Sequence, residues 1–247
     1  MPVKNNAFIV PDWNAPDAIT AVCSTRQGGV SRAGFDSFNL ATHVEDDPAR
    51  VALNRQRLLQ QLGLSAQPQW LEQTHSIRAI DLDRDSGRDG DAAVTRTPGR
   101  VAVVLTADCL PVLFTNSAGS EVAAAHAGWR GLLNGVLEQT LAAMHSKPEA
   151  IMAWLGPAIG PQQFEVGAEV REQFVQQMAA AEACFVQNRA GHYLADLYQL
   201  ARLRLEKQGL SLISGGDYCT YTQSDLFYSY RREKVTGRQA SLIYINK

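Results

Sequence analysis

Three side chains that bind transition metals well are spread over the middle of the sequence: His75 in WLEQTHSIRA, Cys109 in LTADCLPVLF and His126 in VAAAHAGWRGLLNGV. Two imidazoles and a thiolate suit zinc, and three protein ligands leave a fourth tetrahedral position open, as in a catalytic rather than a structural site. The separations, 34 and 17 residues, form no local metal motif, so each ligand must come from a different segment. A lone histidine beside an apolar run is also a common hydrogen-bonded core residue, and a lone cysteine a common small hydrophobe. Spacing alone leaves both readings open. Cys109 and His126 also admit a metal-free chemistry, a thiolate and its general base, with His75 orienting the ring. Alanines and Gly128 clear space around His126, and the purpose of that space is a question for the fold.

The elements that would position these residues can be read from periodicity. Leu133, Val136, Leu137, Leu141 and Met144 recur at helical spacing until Lys147-Pro148, which predicts one helix after HAGWRG. His126 then stands at a strand-to-helix junction, where ligands and catalytic groups collect. Cys109 falls at a break between apolar runs at 101–105 and 112–114, and His75 follows a predicted strand at 69–72. Further strands are predicted at 121–125, 151–155, 210–213 and 241–245. Asp46 or Asp47 caps a helix with Pro48 in its first turn, lined by Val51, Leu58, Leu59 and Leu62 and ended by Gly63. Leu197, Leu200, Ala201 and Leu205 mark another, closed by Gly209, with Arg202, Arg204, Glu206 and Lys207 as its solvated face. No linker, repeat or low-complexity run interrupts the chain. The expected architecture is a single α/β (α+β) domain with a mixed sheet over residues 1–247.

Composition narrows the class. A formal net charge of −2 gives no reason to expect nucleic acid or an anionic membrane as partner, and small molecules are the better expectation. No segment reaches the roughly 18 apolar residues of a membrane helix, and MPVKNNAFIVPDWNAP lacks the basic start and apolar run of a signal peptide. A cytoplasmic location is expected, and the oligomeric state is left between monomer and weak dimer. The four cysteines, Cys23, Cys109, Cys184 and Cys219, form no CxxC pair and would stay reduced there. Cys23 and Cys184 read as core or surface. Among the remaining histidines, His145 suits a helix C-terminus, while His192 lies in the polar stretch NRAGHY and His43 in FNLATHV.

TADCLPV, AAHAGWRG, WLGPAIGPQQFEVGAEV, STRQGGVS and DYCTYTQSDLFYSYRRE together resemble the YfiH family, also called the laccase-domain or polyphenol oxidase family and described as purine nucleoside phosphorylases. The resemblance runs from Ser24 to the C-terminus. It implies that His75, Cys109 and His126 hold a metal, usually zinc, and that the fold is similar to the catalytic domain of cytotoxic necrotizing factors. It also implies phosphorolysis of adenosine, inosine, guanosine or methylthioadenosine, with purine nucleosides and inorganic phosphate as partners and adenosine deamination as a second activity. Where many relatives read QVHG this chain has QTHS, and where they read GPCCYEVG it has GPQQFEVG. Neither change removes a proposed ligand.

Both activities make physical sense at an open zinc position, which lowers the pKa of a bound water toward neutrality for attack on C6 of adenine. Phosphorolysis also needs a cradle for phosphate. Arg26 before Gly28-Gly29, where N–H groups can face an oxyanion, and Arg130 at the start of the helix are the candidates, with a surface-turn role as the alternative for Arg26. Asp108 is a candidate to orient a ligand or carry a proton, or simply to cap a turn. Trp129 and Phe164 are candidates for stacking on a purine or for packing. Asn39, Cys219, Arg231 and Arg232 resemble family positions lining the same cleft, with burial as the default for Cys219. Two rival chemistries stay open: a Cys/His hydrolase (amidase) on cell-wall precursors, and copper-dependent polyphenol oxidation. Cu2+ is a plausible substitute at the His/Cys site, but five histidines with no His-x-His pair are too few for a blue-copper centre plus an oxygen-reducing cluster.

Overall fold

A computed structural model describes residues 7–247; the first six residues, where the sequence was read for a signal peptide, lie outside the described part. Two sheets stack face to face. The first has strand order β1 (Phe8–Ile9), β2 (Ile19–Ser24), β13 (Gln239–Ile245), β5 (Val101–Thr106) and is antiparallel throughout. The second has order β12 (Leu212–Gly215), β8 (Ile151–Leu155), β6 (Leu110–Asn116), β7 (Val122–Ala127), β4 (Ala92–Thr95), β3 (Ala79–Asp81). Its outer pairs, β12 with β8 and β3 with β4, are parallel, and the rest are antiparallel. The expected mixed sheet is present, doubled by a second sheet that the reading did not separate.

Covering both faces of both sheets explains the sequence pattern. Ala102, Val104 and Ile243 of the first sheet meet Ala93, Leu113, Val122, Ala124 and Trp154 of the second in one cluster. The outer face of the second sheet packs on α2 (Trp129–Asn134), α3 (Val136–Ala143) and α5 (Leu197–Lys207). The outer face of the first packs on α1 (Pro48–Leu62) and on Phe38, Leu40 and Trp70. Strands buried on both sides read as continuous apolar runs rather than alternating ones, and β5, β6, β7 and β8 are buried at every residue. Beside α4 (Ala168–Gln177), the strands β9 (Glu165–Gly167), β11 (His192–Ala195) and β10 (Phe185–Arg189) form a small antiparallel unit. The four-residue α6 (Tyr230–Glu233) precedes β13. No helix of the described residues is long and apolar enough to cross a membrane.

Several expectations are corrected. The single helix predicted after HAGWRG is two, because Gly135 takes φ 102° and ends α2 before α3 begins, a conformation that glycine adopts at little cost. The strand at 69–72 is reduced to a bridge between Glu72 and Asp89, since this segment is held by side chains, Gln73 above all, instead of a ladder. The strand at 210–213 begins two residues late, because Leu210 N still donates to Leu205 O at 3.1 Å as the helix closes over Gly209. The polar face of α5 is not wholly solvated: Arg204 bonds Glu138 at 2.7 Å and Arg202 donates to the carbonyls of Ile213 and Gly215. The α1 reading holds at both ends, with Asp47 accepting from Ala49 N and Gly63 left-handed.

Candidate metal centre

The three proposed ligands come together from three segments. His126 is the fifth residue of β7 and is 4% exposed; Cys109 sits in the turn between β5 and β6; His75 lies in the loop before β3. Their ligand atoms all fall within 4.8 Å of one another. Cys109 Sγ stands 3.8 Å from His75 Nε2, and the two imidazoles meet edge to face at 4.9 Å between centroids. Tetrahedral zinc with sulfur and nitrogen ligands needs donor atoms about 3.4–3.6 Å apart, so small side-chain shifts suffice. Burial grades from His126 outward to an exposed His75, which leaves the open side toward solvent.

Asp91, which the sequence reading missed, organises this arrangement. It directly precedes β4 and, by the register Ala92 to Ala125, lies opposite His126, whose N–H donates to the Asp91 carbonyl at 2.7 Å. Its buried carboxylate Oδ1 lies 2.7 Å from His126 Nδ1 and accepts from His75 N at 3.0 Å. Oδ2 accepts from Thr74 N at 3.1 Å, Ser76 N at 2.6 Å and Ser76 Oγ at 2.7 Å. One carboxylate therefore leaves Nε2 of His126 for a metal and also folds the loop that carries His75, which has φ 63°. Gln73 pins the other end of that loop to β5, donating to Leu105 O and accepting from Leu105 N at 2.8 Å each. A carboxylate behind a ligating imidazole fixes tautomer and direction.

The small residues after His126 now have a reason. A Cβ placed on Gly128 would sit 2.9 Å from Cys109 Sγ and 2.9 Å from His75 Cδ2, so glycine keeps the centre open. Its backbone, φ −60° and ψ 158°, is accessible to any residue, which makes space rather than conformation the constraint. Electrostatics agree with ligand duty. Burial pushes the Cys109 thiol up, but the His126 and His75 imidazoles outweigh it and bring it down to about 6. Burial lowers His126, yet the Cys109 thiolate and Asp91 raise it to about 9. Asp91 itself, despite burial, is held at about 2 by its bonds from His126 and Ser76. The donor set and the clearance at Gly128 fit a single metal ion.

The other sequence candidates are placed less uniformly. Asp108, at φ 91°, accepts from Thr220 Oγ1 at 2.6 Å and Arg231 N at 2.7 Å, tying the C-terminal motif to the Cys109 turn without touching a ligand side chain. Arg231 donates to Glu165 O and lies over Phe164, while Arg232 donates to the carbonyls of Thr220, Tyr221 and Phe227. Arg130 is exposed and lies 4.4 Å over Trp129. Guanidinium groups thus cover both aromatics named for purine stacking. Arg26 is committed to the scaffold: it donates to Asp36 O and Ser224 O and pairs with Glu233 at 3.1 Å. The N–H groups of Gln27, Gly29 and Val30 likewise have protein acceptors. Asn39 is buried and bonds Ala41, Asp46 and Arg238 N. Cys219 departs from the default of burial: it is half-buried beside Gly160, whose N–H reaches its Sγ at 3.2 Å, and backbone and Thr222 contacts lower its thiol against the effect of burial.

The family described as multi-copper polyphenol oxidoreductase laccase matches residues 20–246. This chain belongs to that family. A Shigella flexneri member, named purine nucleoside phosphorylase YfiH, is 54% identical over 240 residues, covering 96% of this chain and 98% of its own. A Pseudomonas aeruginosa member, named purine nucleoside phosphorylase, is 47% identical over 241 residues, covering 97% and 99%. The crystal structure of a Neisseria meningitidis protein superposes with a TM-score of 0.93 at 46% identity, covering 98% of this chain and all of that one (100%). The α+β architecture of two stacked sheets is therefore the family's own.

Proposed function

We propose that this chain is a purine nucleoside phosphorylase of the cytoplasm that uses one zinc ion held by His75, Cys109 and His126. The observation that carries the reading is the convergence of two imidazoles and a thiolate around a cleared, solvent-facing position, in a family whose Shigella and Pseudomonas members bear that name. The reaction breaks the C1′–N9 bond of adenosine, inosine, guanosine or methylthioadenosine and forms a bond from C1′ to a phosphate oxygen. The proton of hydrogen phosphate passes to the departing purine, giving base and ribose 1-phosphate, or methylthioribose 1-phosphate from methylthioadenosine. His75, Cys109 and His126 would hold the zinc ion, which would supply Lewis acidity when bound. The protein's part is to hold the ligands: Asp91 keeps the His126 proton on Nδ1, Gln73 and Asp91 fix the His75 loop, and Asp108 holds the Cys109 turn against Arg231. Hydrolytic deamination of adenosine to inosine is proposed as a second activity at the same position.

One observation favours a second reading. Cys109, His126 and Asp91 stand in the order thiolate, imidazole, carboxylate, the relation of nucleophile, base and orienting group, which suits hydrolysis of an amide. Chromatography of the purified protein incubated with adenosine, with and without phosphate, tests the first. Adenine and ribose 1-phosphate rising with phosphate are expected, and both are expected to disappear together with bound zinc in Cys109→Ala. Adenine release that ignores phosphate refutes phosphorolysis, and full activity after metal stripping transfers the case to the Cys/His chemistry.

A further inference from the structure

Beside the metal centre lie cations that make no ion pair with a carboxylate. In the ladder between β13 and β5, Gln239 faces Thr106, so Arg238 stands next to Ala107 and the turn that carries Asp108 and Cys109. Arg238 N donates to Asn39 Oδ1 at 3.0 Å and its carbonyl accepts from Leu40 N at 3.3 Å. Its Nη1 donates only to the carbonyls of Thr236 and Gly237. From the other side, Arg55 of α1 donates through Nε to Leu40 O at 2.9 Å, with its guanidinium 4.1 Å over the Trp70 ring. His43 follows three residues after Leu40 on the same surface segment.

Among the described residues neither arginine has a carboxylate within ion-pair distance, and Nε and Nη2 of Arg238 and both terminal nitrogens of Arg55 have no protein acceptor. The acids nearby are engaged elsewhere: Asp108 with Thr220 and Arg231, Asp46 with Ser31, Asn39 and Asp47 N. The cations feel one another. Burial, then Arg238 and Arg55, lower His43, and burial, then Arg88, bring Arg55 down to about 10. Arg238 is lowered by burial too, although Cys109 and Asp108 pull it back up. Cations gathered without an acid are a standing cost that a bound anion removes, and planar guanidinium forks with free terminal donors match a tetrahedral phosphate group.

We infer that Arg238 and Arg55, with His43 at the rim, form a phosphate subsite next to the Cys109 side of the metal centre. The identity of the anion rests on the phosphorolysis reading; the subsite itself rests on the unpaired guanidinium groups. The phosphate is either the free ion or the phosphoryl group of a nucleotide, and the two sources separate experimentally.

The test is calorimetric titration of inorganic phosphate, and separately of AMP, into the purified protein and into Arg238→Gln, Arg55→Gln and Arg238→Lys. The dissociation constant for phosphate is expected to rise at least tenfold in either Gln variant, equivalent to about 1.4 kcal/mol, and less in Arg238→Lys, which keeps the charge. Arg50→Gln, which removes a cation paired with Asp47 at 3.4 Å elsewhere on α1, is expected to stay within twofold. Should Arg238→Gln fail to fold, Arg55→Gln and Arg238→Lys carry the comparison. Affinities for phosphate and for AMP that both stay within twofold of the wild type in the folded variants overturn the subsite. A tenfold loss confined to AMP overturns the free ion as its ligand and assigns the site to a nucleotide phosphoryl group. Arginine-dependent phosphate binding in a protein that releases no base from nucleosides refutes the phosphorylase reading and leaves the subsite standing.

Discussion

Replacing Asp91 by Asn tests whether one carboxylate assembles the centre. An amide keeps the shape but turns one acceptor oxygen into a donor. Set at the Oδ2 position, the NH2 group would confront three donors, Thr74 N, Ser76 N and Ser76 Oγ. At the Oδ1 position it confronts two, His75 N and His126 Nδ1, so the second orientation is favoured. His126 can then accept from the amide only by moving its proton to Nε2, the nitrogen that faces the metal. Loss of such an orienting partner costs 10- to 100-fold in metal affinity, about 1.4–2.8 kcal/mol. The stranded His75 N–H adds a penalty of about 1–3 kcal/mol to folding, or about 2–4 °C in Tm per kcal/mol for a chain of this size. Zinc affinity by chelator competition and melting of the metal-free protein read the two effects separately. A pH series adds a third reading. A carboxyl held at about 2, below its ordinary 3.8, contributes stability that is full above that ordinary value and is lost as pH falls toward 2. The Asn variant should lack this acid limb. Zinc affinity within twofold of wild type, together with an unchanged acid limb, would refute the role given to Asp91.

Gly128→Ala is expected to cut zinc affinity at least tenfold while leaving the melting temperature of the metal-free protein within a few degrees, because the new Cβ collides with ligands rather than with backbone; undiminished zinc content would show that the space is not needed. Chelator treatment should unmask Cys109 as a thiolate whose alkylation rate is half-maximal near pH 6, and added zinc should restore protection; a rate that follows an ordinary thiol near pH 9 would remove the imidazole pairing. Arg26→Gln should cost about 1–3 kcal/mol of stability by freeing Asp36, Ser224 and Glu233 without changing phosphate dependence. A raised phosphate requirement with unchanged stability would return the anion to Arg26.

The positions of His126 and Cys109 were legible because apolar runs locate strand ends well, and both stand where the pattern puts them; that they form one cluster with His75 came from the family resemblance, since spacing alone left the reading open. The supporting residues were not legible. Asp91 is one acid among many in RDSGRDGDAA, and only the cross-strand register opposite His126 distinguishes it; its one local signal is a polar residue against the start of an apolar strand. Arg238 and Arg55 lie 183 residues apart and meet only because the Asn39–Leu40 segment bonds to both. Arg26 was ambiguous in the sequence for the converse reason: glycines after an arginine look the same whether they expose N–H groups to a ligand or permit close packing, as Gly29 does against Ser37.

The family is described as a multi-copper oxidoreductase, and the placement of the histidines bears on that description. A blue-copper centre takes two histidines and a cysteine, which His75, His126 and Cys109 already supply. The remaining three stand apart: His43 is beside Arg238 and Arg55, His145 follows α3 with its N–H on Glu121, and His192 Nδ1 lies 3.1 Å from the Ala190 carbonyl on β11's edge. Among the described residues the His75, Cys109 and His126 group is the one cluster of its kind. Reducing dioxygen by several copper ions requires those ions near one another, and the described residues offer them no second cluster of histidines. What the fold does provide, one open position with unpaired guanidinium groups alongside, matches a reaction between a nucleoside and an anion better than a transfer of electrons.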